Sequence, residues 1–379
     1  MRFSLIPSPL VFCLAGLFAA AMLVGCRPAV DPQAGKSVTQ LVDEAAQVSP
    51  DALRKQIDTA LEFTIQKRRL NTKDQAAWQV VHGALAFGKE FPVRNGEDDV
   101  PAIDYLLKGG TLRGWNLVSG DPLDAEKTRF GIRALVERGS LTGQGHVDQW
   151  LGYLSGCGFE LDTKIVVEGK EHTIADYIEQ VERDVFQNTE HEFSWTLMAL
   201  STYRPTTHTW TAGDGSSWSI AKIVDYELEH DLLKSTCGGM HRLCGLTMAR
   251  NRHRDSGGAM EGTWAKCDTR VKEALSRVRE YQNPDGSLSA NFLARTGTSV
   301  DLPGAMHAGG HTLEFVILAS NDDELREPWV ERAVVRLCDL FRKTKPIDLE
   351  CGALYHAAHG LAVYRERMFG GRSYLAAAE

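Results

Sequence analysis

The chain has 379 residues, with 42 Lys or Arg against 50 Asp or Glu, so that its formal net charge is −8 at pH 7. Because this acidic balance comes without any block of basic residues, we expect no nucleic-acid partner. Hydrophobic residues make up 43% of the chain, which is typical of a globular protein and not of a disordered one.

The first predicted element is a targeting segment. Arg2 precedes an apolar run over residues 10–24, and the letters LVGC follow to end at Cys26. The run is short for a membrane-spanning helix and is typical of a secretory signal. The four letters resemble a bacterial lipobox, and this resemblance implies that cleavage leaves Cys26 as a lipidated N-terminus.

Residues 1–25 are therefore predicted to be a lipoprotein signal peptide, and the polar residues 26–46 a flexible tether. This organisation implies a protein held in the cell envelope by its lipid, facing the periplasm or the cell exterior, with the membrane as a partner. No later segment contains the ~18 consecutive apolar residues that a spanning helix needs.

From residue 47 to residue 369 the chain alternates two kinds of predicted helix. The first kind is charged and amphipathic, with a polar face that suits an outer, solvent-facing helix. Its members lie at residues 50–70, 101–110, 171–186, 219–233, 263–281 and 327–343. The second kind is rich in small residues and too apolar to face water. Its members lie at residues 76–90, 146–156, 193–203, 238–250, 307–320 and 352–364.

A helix pair that repeats along a chain is typical of a solenoid or a closed ring. Six inner helices predict an all-α fold, an (α/α)6 toroid of six helical hairpins over residues 47–369. The second outer helix is short, and residues 111–142 are rich in loops. Residues 370–379 are predicted to be a disordered tail.

Two further segments predict small β-hairpin insertions. Residues 163–173 and 208–219 each contain a β-rich run, a turn with Gly, and a second short run that leads into an outer helix. Such a pattern is typical of a hairpin with a short loop.

One turn carries a family resemblance. Gln282, Asp285, Gly286 and Ser287 match the Q-x-x-D-G-S turn of terpenoid cyclases and protein prenyltransferases, which are α/α toroids. The chain resembles these proteins, and the resemblance implies the same toroid architecture. The chain is also similar to a group of planctomycete-type lipoproteins that share its CGG-H and ECGALYH-HGL words, and that likeness implies no activity.

Four histidines lie one to two turns into predicted inner helices: His82, His241, His311 and His356. If these helices are parallel, the four rings lie at similar depth and line a central cavity. Small residues beside each histidine allow close helix packing. The alternative for each one is a core histidine that bonds a neighbouring helix.

The first functional hypothesis is a carbohydrate-active site, either a lyase or a hydrolase, with a polysaccharide or a small molecule as ligand. A lyase needs a base and a proton donor, and a hydrolase needs paired carboxylates. Glu314 and Glu350 are the candidate pair. The candidate catalytic residues are His241, His311, His356, Tyr355 and Glu314. The candidate substrate-binding residues are His82, Arg242, Trp78, Trp150 and Trp195, and the alternative for the tryptophans is core packing.

The second hypothesis is a zinc site, because neutral His and thiolate Cys are zinc ligands. Cys237, His241 and Cys244 stand at helical spacing on one stripe, and the candidate ligands are Cys237, His241, His311 and His356. Protein prenyltransferases hold zinc in such a toroid, but of their Asp-x-Tyr-His word only Tyr355 and His356 match here.

The third hypothesis is a non-catalytic binding or scaffold protein, in which the same residues are structural. The cysteines do not separate these readings. Six remain after Cys26, and they allow 15 disulfide pairings, none of which the sequence selects. They are Cys157, Cys237, Cys244, Cys267, Cys338 and Cys351.

Overall fold

The computed structural model describes residues 48–137, 139–140, 142–372 and 374–375. Two predicted segments lie outside these residues: the signal peptide, residues 1–25, and the tether, residues 26–46, which includes Cys26. Within them the chain is mostly helical, with small antiparallel strand pairs, so this part of the fold prediction is confirmed.

Twelve α-helices lie in the described part. They are α1 (Pro50–Lys67), α2 (Ala77–Phe87), α3 (Ala102–Leu107), α4 (Gln149–Gly156), α5 (Ile174–Asp184), α6 (Ser194–Tyr203), α7 (Ile220–Glu229), α8 (Met240–Asp255), α9 (Thr263–Glu280), α10 (Leu302–Ala319), α11 (Pro328–Lys343) and α12 (Cys351–Phe369). Four two-stranded sheets accompany them: β1 (Pro92–Asn95) with β2 (Asp98–Pro101), β3 (Trp115–Pro122) with β4 (Phe130–Val136), β5 (Lys164–Val167) with β6 (Lys170–Thr173), and β7 (Thr209–Thr211) with β8 (Ser217–Ser219).

The two kinds of helix differ in burial as their sequences predict. In α1 the side chains of Leu53, Ile57 and Leu61 recur every four residues and are buried on one face. In α10 residues 308–317 are all buried. A helix that is buried on every side must lie inside the protein, whereas α1 covers the core from outside.

The small-residue helices contact one another in chain order. Contacts run from α2 to α4, α6, α8, α10 and α12, and α12 also contacts α2. Each charged helix packs against at least one of these six. The histidines of the small-residue helices are therefore brought toward a common interior.

The hairpins at residues 163–173 and 208–219 form as predicted, as β5–β6 before α5 and β7–β8 before α7. Two more hairpins were not predicted. The β1–β2 pair leads into the short helix α3, and the β3–β4 pair lies in the region predicted to be rich in loops. Strand β4 packs against α5. The β3–β4 hairpin is thus packed against one of the charged helices.

The turn that carries the family resemblance has a structural role. The Gln282 amide donates to the carbonyl of Gly286 at 2.9 Å and to the carbonyl of Trp329 at 2.7 Å. Asp285 accepts from the backbone and the hydroxyl of Ser287. Since Trp329 belongs to α11, this turn fastens the connection between α9 and α10 to the next outer helix.

The structure describes residues 370–372 and 374–375 of the predicted tail. Tyr374 is 1% exposed, its ring lies 6.3 Å from that of Phe87, and its hydroxyl donates to Glu366.

The six cysteines that follow Cys26 are all free thiols. Among the described residues no helix is both long and apolar enough to cross a membrane.

The close approach of α10 and α12 allows a test of how these two helices pack. A Cβ atom added at Gly310 of α10 would lie 2.5 Å from the backbone nitrogen of Ala357 in α12, whereas one at Gly309 would meet only Leu337, at 3.6 Å. We expect Gly310→Ala to lower the free energy of unfolding by roughly 1–3 kcal/mol, because backbone atoms cannot move aside easily. Gly309→Ala, the matched control, should be neutral or slightly stabilising. Denaturant titration measures both, and equal stability of the two variants would contradict the packing described here.

Candidate functional site

The structure brings together the four histidines that the sequence singles out. The ring centres of His311 and His356 are 3.8 Å apart, and that of His241 is 5.2 Å from His311. His82 lies 5.0 Å from His356. The four side chains come from α2, α8, α10 and α12, so the interior of the helix assembly holds one cluster of imidazoles.

All four imidazoles are buried, and burial favours the neutral form of three of them. All four are at most 7% exposed. Burial lowers the pKa of His82 to about 4 and the pKa values of His311 and His356 well below the ordinary value, because the cationic form loses its hydration. Neutral imidazole is the form that binds metal ions.

In all four, the Nδ1 atom contacts an acceptor, and in three of them this leaves Nε2 without a hydrogen-bond partner among the described residues. His241 Nδ1 contacts Glu192 Oε1 at 3.2 Å, and His356 Nδ1 contacts Glu314 Oε2 at 2.7 Å. His311 Nδ1 contacts the backbone carbonyl one turn earlier in α10 at 2.9 Å. When Nδ1–H donates in this way, Nε2 keeps its lone pair, which is the arrangement typical of metal-binding histidines.

Three of these rings also lie close enough to share one ligand. His241, His311 and His356 each offer a ligand atom, and these three atoms lie within 4.8 Å of one another. The Nε2 atom of His241 is buried and has no hydrogen-bond partner. A buried nitrogen without a partner is costly unless it binds something, so this atom marks the centre of the cluster as a binding position.

His82 has a different role, because both its nitrogens have partners. Nδ1 contacts the carbonyl of Trp78 at 2.5 Å, and Nε2 contacts the Tyr153 hydroxyl at 3.0 Å. The Tyr153 hydroxyl in turn accepts from the Gln149 amide at 2.9 Å. His82 therefore forms a wall beside His356 and is fixed by α4.

Cys237 does not lie on the helical stripe that its spacing predicts. Helix α8 begins at Met240, and Cys237, Gly238 and Gly239 all have positive φ angles, of 51°, 62° and 80°. A Cβ at Gly238 would lie 2.3 Å from the ring of Phe292, so glycine is required there. The left-handed backbone at Cys237 is unusual for a residue with a side chain and is held by the packing around it.

This turn places Cys237 beside one predicted partner, His311, and one that was not predicted, His307. Its sulfur forms a possible ligand group with His307 and His311. Burial raises the pKa of the Cys237 thiol to about 12, so that the thiol is protonated. Cys237 does not share a ligand group with His241 and His356, which form a separate group with His311.

The predicted tryptophans are core residues around the cluster. Trp195 is 2% exposed and lies 5.4 Å from His241 and 4.8 Å from Tyr153, edge to face with the latter. Trp78 contacts His82 edge to face at 5.7 Å, and Trp150 is buried as well. Buried aromatic rings of this kind fill the space around the cluster and exclude water from it.

The other predicted site residues each have specific partners. Tyr355 packs on Phe87 and Phe91, and its hydroxyl donates to the carbonyl of Arg68. Arg242 pairs with Glu227 at 2.5 Å. The carboxylate of Glu350 caps α12 by accepting from the backbone nitrogens of the second and third helical residues. Glu314, the other candidate carboxylate, contacts His356 and His359 at 2.7 and 2.6 Å.

A cleft of about 990 Å³ adjoins the cluster, and of the predicted site residues only Arg242 lines it. His146, Asp148 and Glu192 line it together with Arg242. Glu192 connects the cleft to the cluster, because the same oxygen that contacts His241 also contacts His146 Nδ1, at 2.6 Å. Burial opposes ionisation of Glu192, but the hydrogen bonds to the two histidines prevail and hold its pKa well below the ordinary value.

These missed residues share a sequence position. Asp148 is the residue before α4, and Glu192 stands two residues before α6. Both therefore lie where the chain enters a small-residue helix. An acidic residue one or two positions before an apolar helix is the sequence signal that could have identified them.

Asp148 has the features of a carboxylate that is kept for function. Its φ is 59°, and its Oδ2 accepts from the Thr196 hydroxyl at 2.6 Å. Burial raises its pKa to about 6. Perturbed carboxyl groups in clefts are over-represented among functional residues.

The raised pKa predicts how Asp148→Asn alters stability. The folded chain binds the Asp148 proton more tightly than the unfolded chain does, so stability is lost as pH rises through about 6. Asn keeps the acceptor for Thr196, tolerates positive φ, and carries no charge. We expect Asp148→Asn to raise the melting temperature at pH 7.5 and to change it little at pH 4.

Asp231→Asn, on the rim of the cleft, is the control. If Asp148→Asn changes the melting temperature equally at both pH values, the raised pKa of Asp148 is contradicted.

Comparisons with protein-family models, with curated proteins and with solved structures return no match for this chain. The resemblance to terpenoid cyclases and prenyltransferases therefore rests on the short sequence motifs alone. The chemistry of the site follows from its own residues: three buried imidazoles, carboxylates in contact with two of them, and an adjoining cleft.

Proposed function

We propose that this protein is a metal-dependent enzyme of the cell envelope. In this proposal a divalent transition metal, zinc or one that prefers the same nitrogen ligands, is held by His241, His311 and His356. The observation that carries it is the convergence of three buried imidazoles within 4.8 Å, each with its Nδ1 held from behind. Three histidines are a common catalytic zinc set, which leaves a coordination position open for substrate or water.

The donor set suits such a metal on several grounds. The imidazoles of His311 and His356 are neutral because of their burial, and the Nε2 of His241 has no other partner. Bound there, a divalent metal would lower the pKa of a water molecule and polarise a substrate oxygen. The protein would supply orientation and exclusion of bulk water, since the surrounding aromatic side chains are nearly fully buried.

Each neighbouring residue has a definite task in this proposal. Glu192 and Glu314 fix the tautomers and ring orientations of His241 and His356. His82 closes the side of the cluster next to His356. Substrate would enter through the cleft that His146 and Glu192 line.

We propose a carbohydrate as substrate and a bond-cleaving reaction, hydrolytic or eliminative. The support is the predicted location, where polysaccharides are the available polymers, and the size of the cleft, which is large enough for sugar rings. A metal-based mechanism needs no second carboxylate opposite Glu314. It is therefore compatible with the capping role of Glu350.

The order of helix contacts supports the finer architecture as well. Since the six small-residue helices contact one another in sequence and the last contacts the first, we propose that they form the inner ring of an α/α toroid. The charged helices and the β3–β4 hairpin would form the outer layer. The metal position would then lie inside the ring.

A panel assay tests the activity. Neutral, acidic and amino-sugar polysaccharides are incubated with the metal-free protein and with protein reconstituted with zinc, and products are identified by mass spectrometry. We expect cleavage only after reconstitution, reversed by a chelator. Cleavage that is equal with and without metal would contradict the proposed chemistry.

Lipid attachment of Cys26 remains a prediction of the sequence and has its own test. We expect Cys26→Ala to release the protein from the membrane fraction or to stall its processing, because the acylated residue is lost. Fractionation followed by immunoblotting measures this. Unchanged membrane attachment of the variant would contradict the lipoprotein assignment.

A further inference from the structure

The three histidines of the proposed metal site are enclosed by the protein. His241, His311 and His356 are 6%, 2% and 3% exposed, and the Nε2 atom of His241 has almost no accessible surface. A metal ion in water carries a shell of water ligands, which it must exchange for imidazole nitrogens when it enters. A buried site of this kind therefore needs an entry path with ligands nearer to the surface.

A second group of ligand atoms connects His311 to the surface. The Cys237 sulfur and one ring nitrogen each of His307 and His311 lie within 4.8 Å of one another. His311 is buried, whereas Cys237 and His307 are half-buried. Neither ring nitrogen of His307 has a hydrogen-bond partner among the described residues, and neither is enclosed. An ion that arrives from solvent can therefore contact this group.

His311 belongs to both groups through a single atom. Its Nδ1 contacts the carbonyl of His307 at 2.9 Å, which leaves Nε2 as its nitrogen for a metal ion. The ring centre of His311 is 4.4 Å from that of His307 and 3.8 Å from that of His356. An ion can therefore move from one group to the other while it stays bound to His311, because only the other two ligands are replaced.

Two residues with unusual backbone angles fix the position of Cys237. Cys237 and Phe292 both have a φ of 51°, which residues with side chains rarely adopt. Their segments meet where Gly238 packs on the Phe292 ring, and the same ring contacts His307 edge to face at 6.3 Å. Such residues persist where their surroundings hold them, and they cluster at functional sites. These contacts hold Cys237 and His307 side by side.

We infer that Cys237, His307 and His311 form an outer site at which the divalent metal ion binds first. From there the ion passes to the inner site, which is the proposed site of His241, His311 and His356. The Cys237 thiol releases its proton to solvent when the ion binds, since thiolate is the ligand. As the ion moves inward, bonds to His241 and His356 replace those to Cys237 and His307, and the thiolate regains a proton. The inference rests on the proposed metal site.

The inner site is the resting position of the ion in this account. Two of its imidazoles contact the carboxylates of Glu192 and Glu314, and such contacts strengthen metal binding by about 10–100-fold. The Cys237 sulfur and the His307 ring have no hydrogen-bond partner of this kind among the described residues. Since both sites use His311, one ion occupies one site at a time.

Stopped-flow absorption with cobalt(II) follows the ion through both sites. Cobalt bound to a thiolate absorbs in the near ultraviolet by charge transfer from sulfur, whereas cobalt bound only to imidazoles lacks this band. When cobalt is mixed with the metal-free protein, we expect the sulfur band to rise and then decay. In Cys237→Ser the band should be absent and loading should be roughly 10-fold or more slower, because an outer ligand is lost. The final spectrum should match that of the wild type.

Further variants separate the two steps. His307→Gln, a second change at the outer site, should also slow loading. His356→Ala breaks the inner site and keeps the outer one, so its sulfur band should rise and persist. His311→Ala removes the shared ligand and should abolish both signals. Cys157→Ser is the matched control, because it removes another half-buried thiol, and it should load as the wild type does.

The inference is overturned if cobalt loads without a sulfur band, or if Cys237→Ser loads at the wild-type rate. Slower loading of His146→Ala with normal loading of Cys237→Ser would place the entry at the cleft instead. These outcomes leave the inner site standing, provided that the final cobalt spectrum shows nitrogen ligands. A sulfur band that persists in the wild type, or no cobalt binding at all, would overturn the proposed metal site as well.

Discussion

Replacing His311 by alanine is expected to weaken zinc binding by more than the ~10–100-fold that is typical of changes behind a ligand. His311 lies between the other two ligands, with ring centres 3.8 Å from His356 and 5.2 Å from His241. Its loss leaves two imidazoles, which do not form a complete catalytic zinc set. Competition with a chromophoric chelator measures the change in affinity.

The matched control for this variant is His253→Ala. His253 lies in α8, is 5% exposed, stacks on Trp264 at 4.0 Å and contacts the Thr206 hydroxyl at 2.8 Å. It is thus a buried histidine whose role is packing. We expect His253→Ala to lower the melting temperature and to keep the zinc affinity. If both variants lose stability and neither changes zinc affinity, the four clustered histidines are structural.

Glu314→Gln is expected to weaken zinc binding by about 10–100-fold without exposing the core. The carboxylate contacts the Nδ1 atoms of His356 and His359 at 2.7 and 2.6 Å, one with each oxygen. An amide has only one acceptor oxygen, and its NH2 group would face the second Nδ1–H. One imidazole would therefore lose its acceptor, and the other would keep only a neutral acceptor, which is weaker than a carboxylate, so His356 would be held less firmly in the ligand tautomer.

Glu350→Gln provides the control for this charge change. Its carboxylate is exposed and caps α12, where it accepts from Gly352 and Ala353 at 2.7 and 2.8 Å. We expect it to lower stability by about 1 kcal/mol or less and to leave zinc affinity unchanged. Equal zinc affinities of the Glu314→Gln and Glu350→Gln variants would show that the Glu314 contacts do not support a ligand.

The clustering of the four histidines could be predicted from the sequence, because it follows from the repeat of the small-residue helices. His82, His241, His311 and His356 stand at similar depths in helices that are recognisable by their small residues. Which three can share a ligand is a different matter. His82 is removed from the set by the Tyr153 hydroxyl of α4, and no pattern in α2 reveals that contact.

Features outside regular helices were not predicted for related reasons. Cys237 was placed by helical spacing, yet two glycines after it allow a left-handed turn that starts the helix three residues later. Asp148 and Glu192 lie in connections that have no period, and their partners are distant in the chain. Asp148, for example, is fixed by Thr196, which is 48 residues away.

The binding of one metal ion by three histidines is tested most directly by reconstitution and absorption spectroscopy. The metal-free protein is loaded with excess zinc and dialysed, its zinc content is measured, and its zinc K-edge spectrum is recorded. We expect about one zinc per chain with nitrogen ligands at ~2.0–2.1 Å and an imidazole scattering pattern that His311→Ala removes. A content far below one zinc per chain, or a sulfur ligand at ~2.3 Å, would contradict the site at His241, His311 and His356.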